Sequence, residues 1–516
     1  MPTVNRFALF ALVVLALSAL FGVAWYSRPV SVSAGQSPSA STVPVAAGLR
    51  GCPDPGTPGS RTAGLAIIAA AAGHGSGQAT VSRLSAAGGS SAGSLLTLSQ
   101  PGELSLSAVS PAPAATGTST GTSAGASGGT SGNGSPKGSA ATGRPGGVLI
   151  QARGSMAQGL EAEQTTSGTA TASCGAPGTD FWFTGPGQQS AGSIQLYLMN
   201  VDNQPSNVDV DIVSDAGPLQ GSTDTGIAVP PHGLVVQPLD GLVHGSRAIE
   251  LHVRTSVGRV VAAVRESSRA SQPGQWLPAT QAPAKRLVIP GLPAASGGRA
   301  LYVATPAESD AQVKLTVISS GGSYQPTGAS GIDIPAGSAS KVELTSLAGV
   351  SGAVVLTSNV PVTASFVMPG GAQGAPGAFA VAVPPVEQQG VVADGGGQAH
   401  EGTSLVITAP GAAVHVQVSE VSSATSGASA GSAGTPRVVS VPAKHSVTIK
   451  LGRPQGAPGN SSFAIVLTPL RGSGPVYAGR VLTGSRGTML GIIPVTSAPT
   501  SIPLPQVRDS LLTVTP

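Results

Sequence analysis

IAVPPHGLVVQPL from Ile227, IDIPAGSASKVEL from Ile332 and VSVPAKHSVTIKL from Val439 share one pattern. Each reads apolar-x-apolar-Pro, then a turn, then a second apolar run that ends in Leu. Upstream of each lies an opening strand: LYLMN at Leu196, LYVAT at Leu301 and LVITA at Leu405. Downstream lies a closing pair: IELHVRTSVGRVVAAV, VVLTSNVPVTASFV and IVLTPLRGSGPVYAGRV. Self-similarity at a fixed spacing marks a repeat architecture.

Within each repeat the apolar period is two. Val208-Asp209-Val210-Asp211-Ile212 puts its branched residues on one side and its aspartates on the other. Val313-Lys314-Leu315-Thr316-Val317 and Val414-His415-Val416-Gln417-Val418 do the same. One buried and one wet face is what a half-buried antiparallel sheet requires. Short strands between Gly/Pro turns predict an all-β fold of tandem immunoglobulin-like β-sandwich repeats. A degenerate earlier copy is expected from Leu65–Ala72, Ala79–Leu84, Leu95–Leu98 and VLIQARGSMAQGLEAEQT at Val148. The strand order within a repeat is not readable from the pattern.

The expected organisation is a membrane segment over 1–28, a flexible spacer over 29–50, and repeats over 51–180, 181–285, 286–385 and 386–516. Tracts rich in Ser, Gly, Thr and Ala at 110–147 and 422–434 read as disordered loop insertions. Charged residues make up 9% of the 516 and aromatics 3%, against 73 Gly and 44 Pro. That profile suits small β-domains joined by turns rather than a helical enzyme. The formal net charge of +4 comes without any Lys/Arg run, so no nucleic-acid partner is expected.

Phe7 to Tyr26, FALFALVVLALSALFGVAWY, carries no charge. Twenty such residues in a helix span ~30 Å, the hydrocarbon thickness of a bilayer. The expectation is a single-pass anchor over residues 7–26 with the bulk of the chain outside the cell membrane. The alternative is a cleaved signal peptide, with small-residue sites at Val23-Ala24 and Ser33-Ala34. Cys52 and Cys174 are the two cysteines. In an oxidising exterior they make one disulfide bracketing the first repeat, worth roughly 4–5 kcal/mol by loop closure.

Candidate chemistry is thin. GxSxG occurs at Gly89–Gly93, Gly121–Gly125 and Gly427–Gly431, but in Gly/Ser tracts without the strand and helix of a nucleophile elbow. Glu161 and Glu163 stand two apart on an expected strand and read as a solvated face. As an acid/base pair they would need to meet in a cleft. Asp202, Asp209, Asp211 and Asp215 lack the order of a calcium loop. The histidines, His74, His232, His244, His252, His400, His415 and His445, show no ligand spacing. No catalytic residue, metal or cofactor is expected. Phe181-Trp182-Phe183 is the densest aromatic cluster. It reads either as a binding platform, since large rings anchor interfaces, or as a plug between the first and second repeats. Trp276, in SQPGQWLPAT, reads as packing.

At these residues the chain resembles a known family. Cys174-x-x-Pro177-Gly178 leads into DFWFTGPG, with GLEAEQTT before it and LYLMNVDNQPSNVDVDI after it. This resembles a family of actinobacterial membrane-anchored exported proteins catalogued as a domain of unknown function, best from Val148 to about Glu266. The resemblance implies one membrane helix, β-rich repeats, and work on envelope polysaccharide beside a membrane glycosyltransferase. It brings no catalytic residues. The expected function is therefore a non-enzymatic scaffold or binding protein whose partner is an envelope glycan or that glycosyltransferase. The rival is a glycan hydrolase or transferase with carboxylates such as Glu161 assembled from distant strands.

Overall fold

The computed structural model describes residues 6–26, 41–53, 63–70, 75–84, 94–109, 146–166 and, with short breaks, 170–504. The chain divides into two compact units, residues 1–43 with 502–516, and residues 44–501. The first holds the helix Arg6–Tyr26. At its edge the strand Thr42–Pro44 pairs with Ser501–Pro503. Side chains are described for only part of that helix, and among the described residues no helix is long and apolar enough to cross a membrane.

The second unit is built of antiparallel sheets. In the second repeat the strands run, first to eighth, Asp180–Pro186, Ser193–Met199, Ser206–Ser214, a fourth position shared by Gly217–Leu219 and Ile227–Val229, Leu234–Pro238, Ala248–Val257, Val261–Ser268 and Ser271–Leu277. In one sheet the first strand pairs with the sixth, the sixth with the third and the third with the fourth. In the other the fifth pairs with the second, the second with the seventh and the seventh with the eighth. The same order recurs around Ala47–Ser173, Ala284–Val381 and Gly390–Pro494. The degenerate first copy therefore has the topology of the three clear ones. In the third repeat the sixth and seventh strands are one bent strand, Gly352–Met368. Its first half pairs with Ala311–Ser319 and its second with Ala300–Thr305. Pro361, which has no N–H to give, lies between the halves.

The shared motif is the corner between sheets. Ile227–Val229 lies in one sheet and Leu234–Pro238 in the other, and the two later copies turn in the same way. Each corner is closed by one hydrogen bond from the backbone N–H of Gly233, Ser338 or His445 to the carbonyl of Pro230, Pro335 or Pro442. The residue before that donor has positive φ in all three: His232 (47°), Gly337 (57°) and Lys444 (60°). This is the position of a type II turn that glycine suits best.

The period-two reading holds. Val208, Val210 and Ile212 are buried against Leu251 and Val253 of the sixth strand. Other strands are buried on both faces, as Ala300–Thr305 is throughout, because the repeats also pack on one another. Val406, Val481 and Ile492 of the fourth repeat join the core of the third. There Gly479 meets Gly291 so closely that an added Cβ would sit 2.6 Å from its Cα. Tyr197 and Trp276 of the second repeat share a cluster with Leu84, Leu149 and Ala172 of the first. Ala66, Ile68 and Leu104 of the first repeat cluster with Val391, Ala464 and Val466 of the fourth. The four repeats thus form a closed ring, not an open row.

The spacer over 29–50 is shorter, because Ala47–Cys52 is the first strand of the first repeat, paired with Gly147–Gly154. Its Gly-rich sequence hides the alternation. The insertions at 110–147 and 422–434, the three GxSxG strings, His74 and His400 lie wholly or almost wholly outside the described residues.

The corner turns make a prediction. Lys444→Gly relieves a left-handed side-chain residue and is expected to be neutral to stabilising, by up to about 1 kcal/mol. Gly337→Ala is expected to destabilise by about 1 kcal/mol. An added Cβ there meets only Pro218, at 3.8 Å, so the cost is conformational. Urea unfolding of both variants checks the opposite signs.

Candidate functional site

The eighth strands of the repeats, Ala170–Ser173, Ser271–Leu277, Ala378–Val381 and Met489–Pro494, pack beside one another around the middle of the ring. Where three of them meet lies a cavity of about 300 Å³. Its walls are Arg50, Glu161, Ala172 and Cys174 from the first repeat, Phe181, Phe183, Ala262 and Trp276 from the second, and Ile493 and Pro494 from the fourth. The volume is at the small end of ligand sites, and the walls are mostly apolar with a few polar groups, as such sites are.

The polar groups are positioned by the sheets. Arg50, on the same edge strand as Cys52, donates from Nη2 to the Leu160 carbonyl at 2.7 Å and to Glu161 Oε2 at 3.2 Å. Burial pushes the Glu161 carboxyl above its ordinary value, and Arg50 pulls it back. Cys52 and Cys174 are joined, with Cα atoms 4.3 Å apart and 122 residues between them in sequence. That disulfide ties the first strand to the end of the eighth, and Gly51 N–H bonds the Gly175 carbonyl beside it at 2.9 Å. Trp276 is 5% exposed. Tyr197 packs edge-on to it at 5.1 Å and the Arg265 guanidinium lies 5.7 Å from its ring centre. Its Nε1 has no hydrogen-bond partner.

The aromatic cluster divides by strand alternation. Phe181 and Phe183 face the cavity side and Trp182 the opposite face of Asp180–Pro186. Trp182 is buried, stacked on His252 at 3.6 Å between ring centres. Of Phe181, Trp182 and Phe183, Trp182 offers no open ring and packs on His252, while Phe181 and Phe183 stand in the cavity wall.

Glu161 and Glu163 are not a solvated face. Their side of Leu160–Thr166 turns toward the fourth repeat, and both are buried. They do not converge as an acid/base pair. Glu163 accepts from the Ala393 N–H at 3.1 Å and pairs with Arg480 Nη1 at 3.3 Å. Arg480 also donates to the Asp394 carbonyl. Glu161 is the one carboxylate among the described residues of the cavity wall. Two further buried acids escaped the sequence reading. Glu250 accepts from the Thr363 hydroxyl of the third repeat. Burial holds its carboxyl up at about 7. Burial likewise raises Glu266, whose Oε1 is unpartnered. The missed signal was a lone charge inside an apolar run, as in AIELHV and YAGRVL. Such a run is buried on both faces, so its one charge must find a partner inside.

The aspartates are spent separately: Asp202 on Arg259, Asp209 on the Gly226 N–H, Asp211 on Arg254 and Asp215 on the Arg247 N–H. Among the described residues no three His, Cys, Asp or Glu side chains are placed to hold a metal ion.

Two predictions follow from these buried charges. Arg480→Leu leaves Glu163 buried without its cation and is expected to cost about 3–5 kcal/mol, most of which Glu163→Leu in the same chain restores. Denaturant unfolding of single and double variants checks the rescue. Glu250 is favoured neutral in the folded protein. Its contribution is full below the ordinary value of 4.5 and is lost as pH rises through about 7. The difference corresponds to about 3 kcal/mol. Glu250→Gln should flatten this part of the stability–pH curve and stabilise the protein at about pH 8.

A search of curated proteins finds no match to the chain. A family model matches residues 130–452, from before the sixth strand of the first repeat through the fifth strand of the fourth. The matched span holds Glu161, Cys174 and Trp276, and leaves Arg50, Cys52 and Arg480 outside. It covers more than half of the sequence, and the chain belongs to DUF5719, a family of unknown function.

Proposed function

We propose that the protein is a non-enzymatic scaffold and binding protein of the cell envelope. The helix Arg6–Tyr26 anchors it, and the ring of repeats stands outside the membrane. There it binds an envelope glycan, in company with a membrane glycosyltransferase. The observation that carries the non-enzymatic reading is the use made of the buried acids. Glu163 and Glu250, the groups a hydrolase would draw on, are tied across junctions between repeats. A glycan hydrolase needs two carboxyl groups facing one cleft, and the cavity wall has Glu161 alone among its described residues.

Export is supported by the disulfide, which persists in oxidising compartments, and by the uncharged run Phe7–Tyr26. Each repeat is read as a variant of the immunoglobulin-like sandwich, with its first strand beside the sixth. Rigidity suits the scaffold role, because a ring closed by apolar clusters and buried polar ties holds its surfaces at fixed distances.

The test is sedimentation of the full chain, in a detergent without sugar groups, with purified cell-wall polysaccharide. Saturable pelleting without release of reducing ends is expected. A chain that stays in solution overturns the glycan partner, and release of reducing ends overturns the non-enzymatic reading.

A further inference from the structure

We propose that the cavity at the ring's centre is a binding site for one neutral pyranose unit, recognised by Glu161 and Arg50. This rests on the reading of the protein as a glycan-binding scaffold and names the site that reading lacks.

The first argument is charge. Arg50 and Glu161 are a matched pair at 3.2 Å with side chains 13% and 8% exposed. An anionic or cationic ligand would have to take one partner and leave the other uncompensated in a low dielectric. A neutral ligand keeps the pair. The second argument is hydrogen bonding. A carboxylate accepts and a guanidinium donates, so side by side they match adjacent hydroxyls, each both donor and acceptor. The Trp276 ring adds apolar wall beside the pair. The third argument is shape. Phe181, Ile493 and Pro494 give apolar wall in about 300 Å³, enough for one ring with a carbon face and a polar edge and too little for a chain of them. Ala279, exposed at the rim, marks where the next unit would leave.

The experiment titrates the full chain, in a zwitterionic detergent, with the methyl glycosides of glucose, mannose and galactose. Saturation-transfer NMR on the ligand and tryptophan fluorescence report binding. Saturable binding of at least one glycoside is expected. Glu161→Gln should weaken it about tenfold or more, as in sites built to hydrogen-bond their ligand. Ala279→Trp closes the mouth from an exposed position and should abolish it, so the proposal stays testable if the buried variant fails to fold. A methyl glucuronide should bind about tenfold more weakly than the neutral glycosides. No saturable binding of any neutral glycoside overturns the proposal, as does binding that survives Ala279→Trp. Equal binding of the glucuronide overturns the neutral specificity. If polysaccharide pellets wild type and Ala279→Trp alike, the cavity assignment falls and the scaffold reading stands. If neither polysaccharide nor glycoside binds, both fall.

Discussion

The buried pair Glu163–Arg480 joins residues far apart in the chain and closes the first repeat onto the fourth. Four two-sheet repeats strung end to end would leave two outer faces wet. Closure removes those faces from water, and Ala66, Ile68 and Val466 are apolar because of it. Burying two charges is costly, and their attraction offsets that cost only when geometry and further hydrogen bonds are good. Here the Ala393 N–H and the Asp394 carbonyl supply two such bonds, while Arg480 Nε and Nη2 are left without a partner. A pair of this kind adds little net stability beside an apolar contact of the same volume. Displacing the fourth repeat would leave either charge buried without the other.

The other junctions use the same chemistry in a milder form. Between the second and third repeats, Thr184, Thr363 and Glu250 make a buried hydroxyl–carboxyl chain. Between the third and fourth, Ser446 reaches the Ile318 carbonyl at 2.9 Å. Apolar clusters surround each of these ties. Burial on both faces explains why so many strands read as continuous runs of Val, Ala and Leu. The cavity follows from this packing. Sheet edges meet at the ring's centre, and edges do not interdigitate as faces do. The remaining space is lined by the Arg50–Glu161 pair and the disulfide.

The repeat unit was legible because each copy keeps its corner: Pro, a turn, and a residue at positive φ before the second strand. The alternation of Val208 to Ile212 was legible for the same kind of reason, since a local period reports a local face. Glu161 and Glu163 were misread on that logic. Their strand alternates as a wet strand does, and nothing within it tells that its polar face will meet Arg480. Trp182 stayed open between platform and plug, because the covering ring comes from its cross-strand neighbour His252.

By itself, then, the sequence determined what depends on near neighbours. That comprises the β class, the repeat and its corners, the single disulfide partner for each cysteine and the uncharged N-terminal run. The tertiary structure decided the strand order, the closure of four repeats into a ring, the pairing of buried charges and the cavity between edge strands. Each of these depends on residues hundreds of positions apart meeting across a junction. A charge or an aromatic ring carries no mark in its own segment of which distant face will cover it.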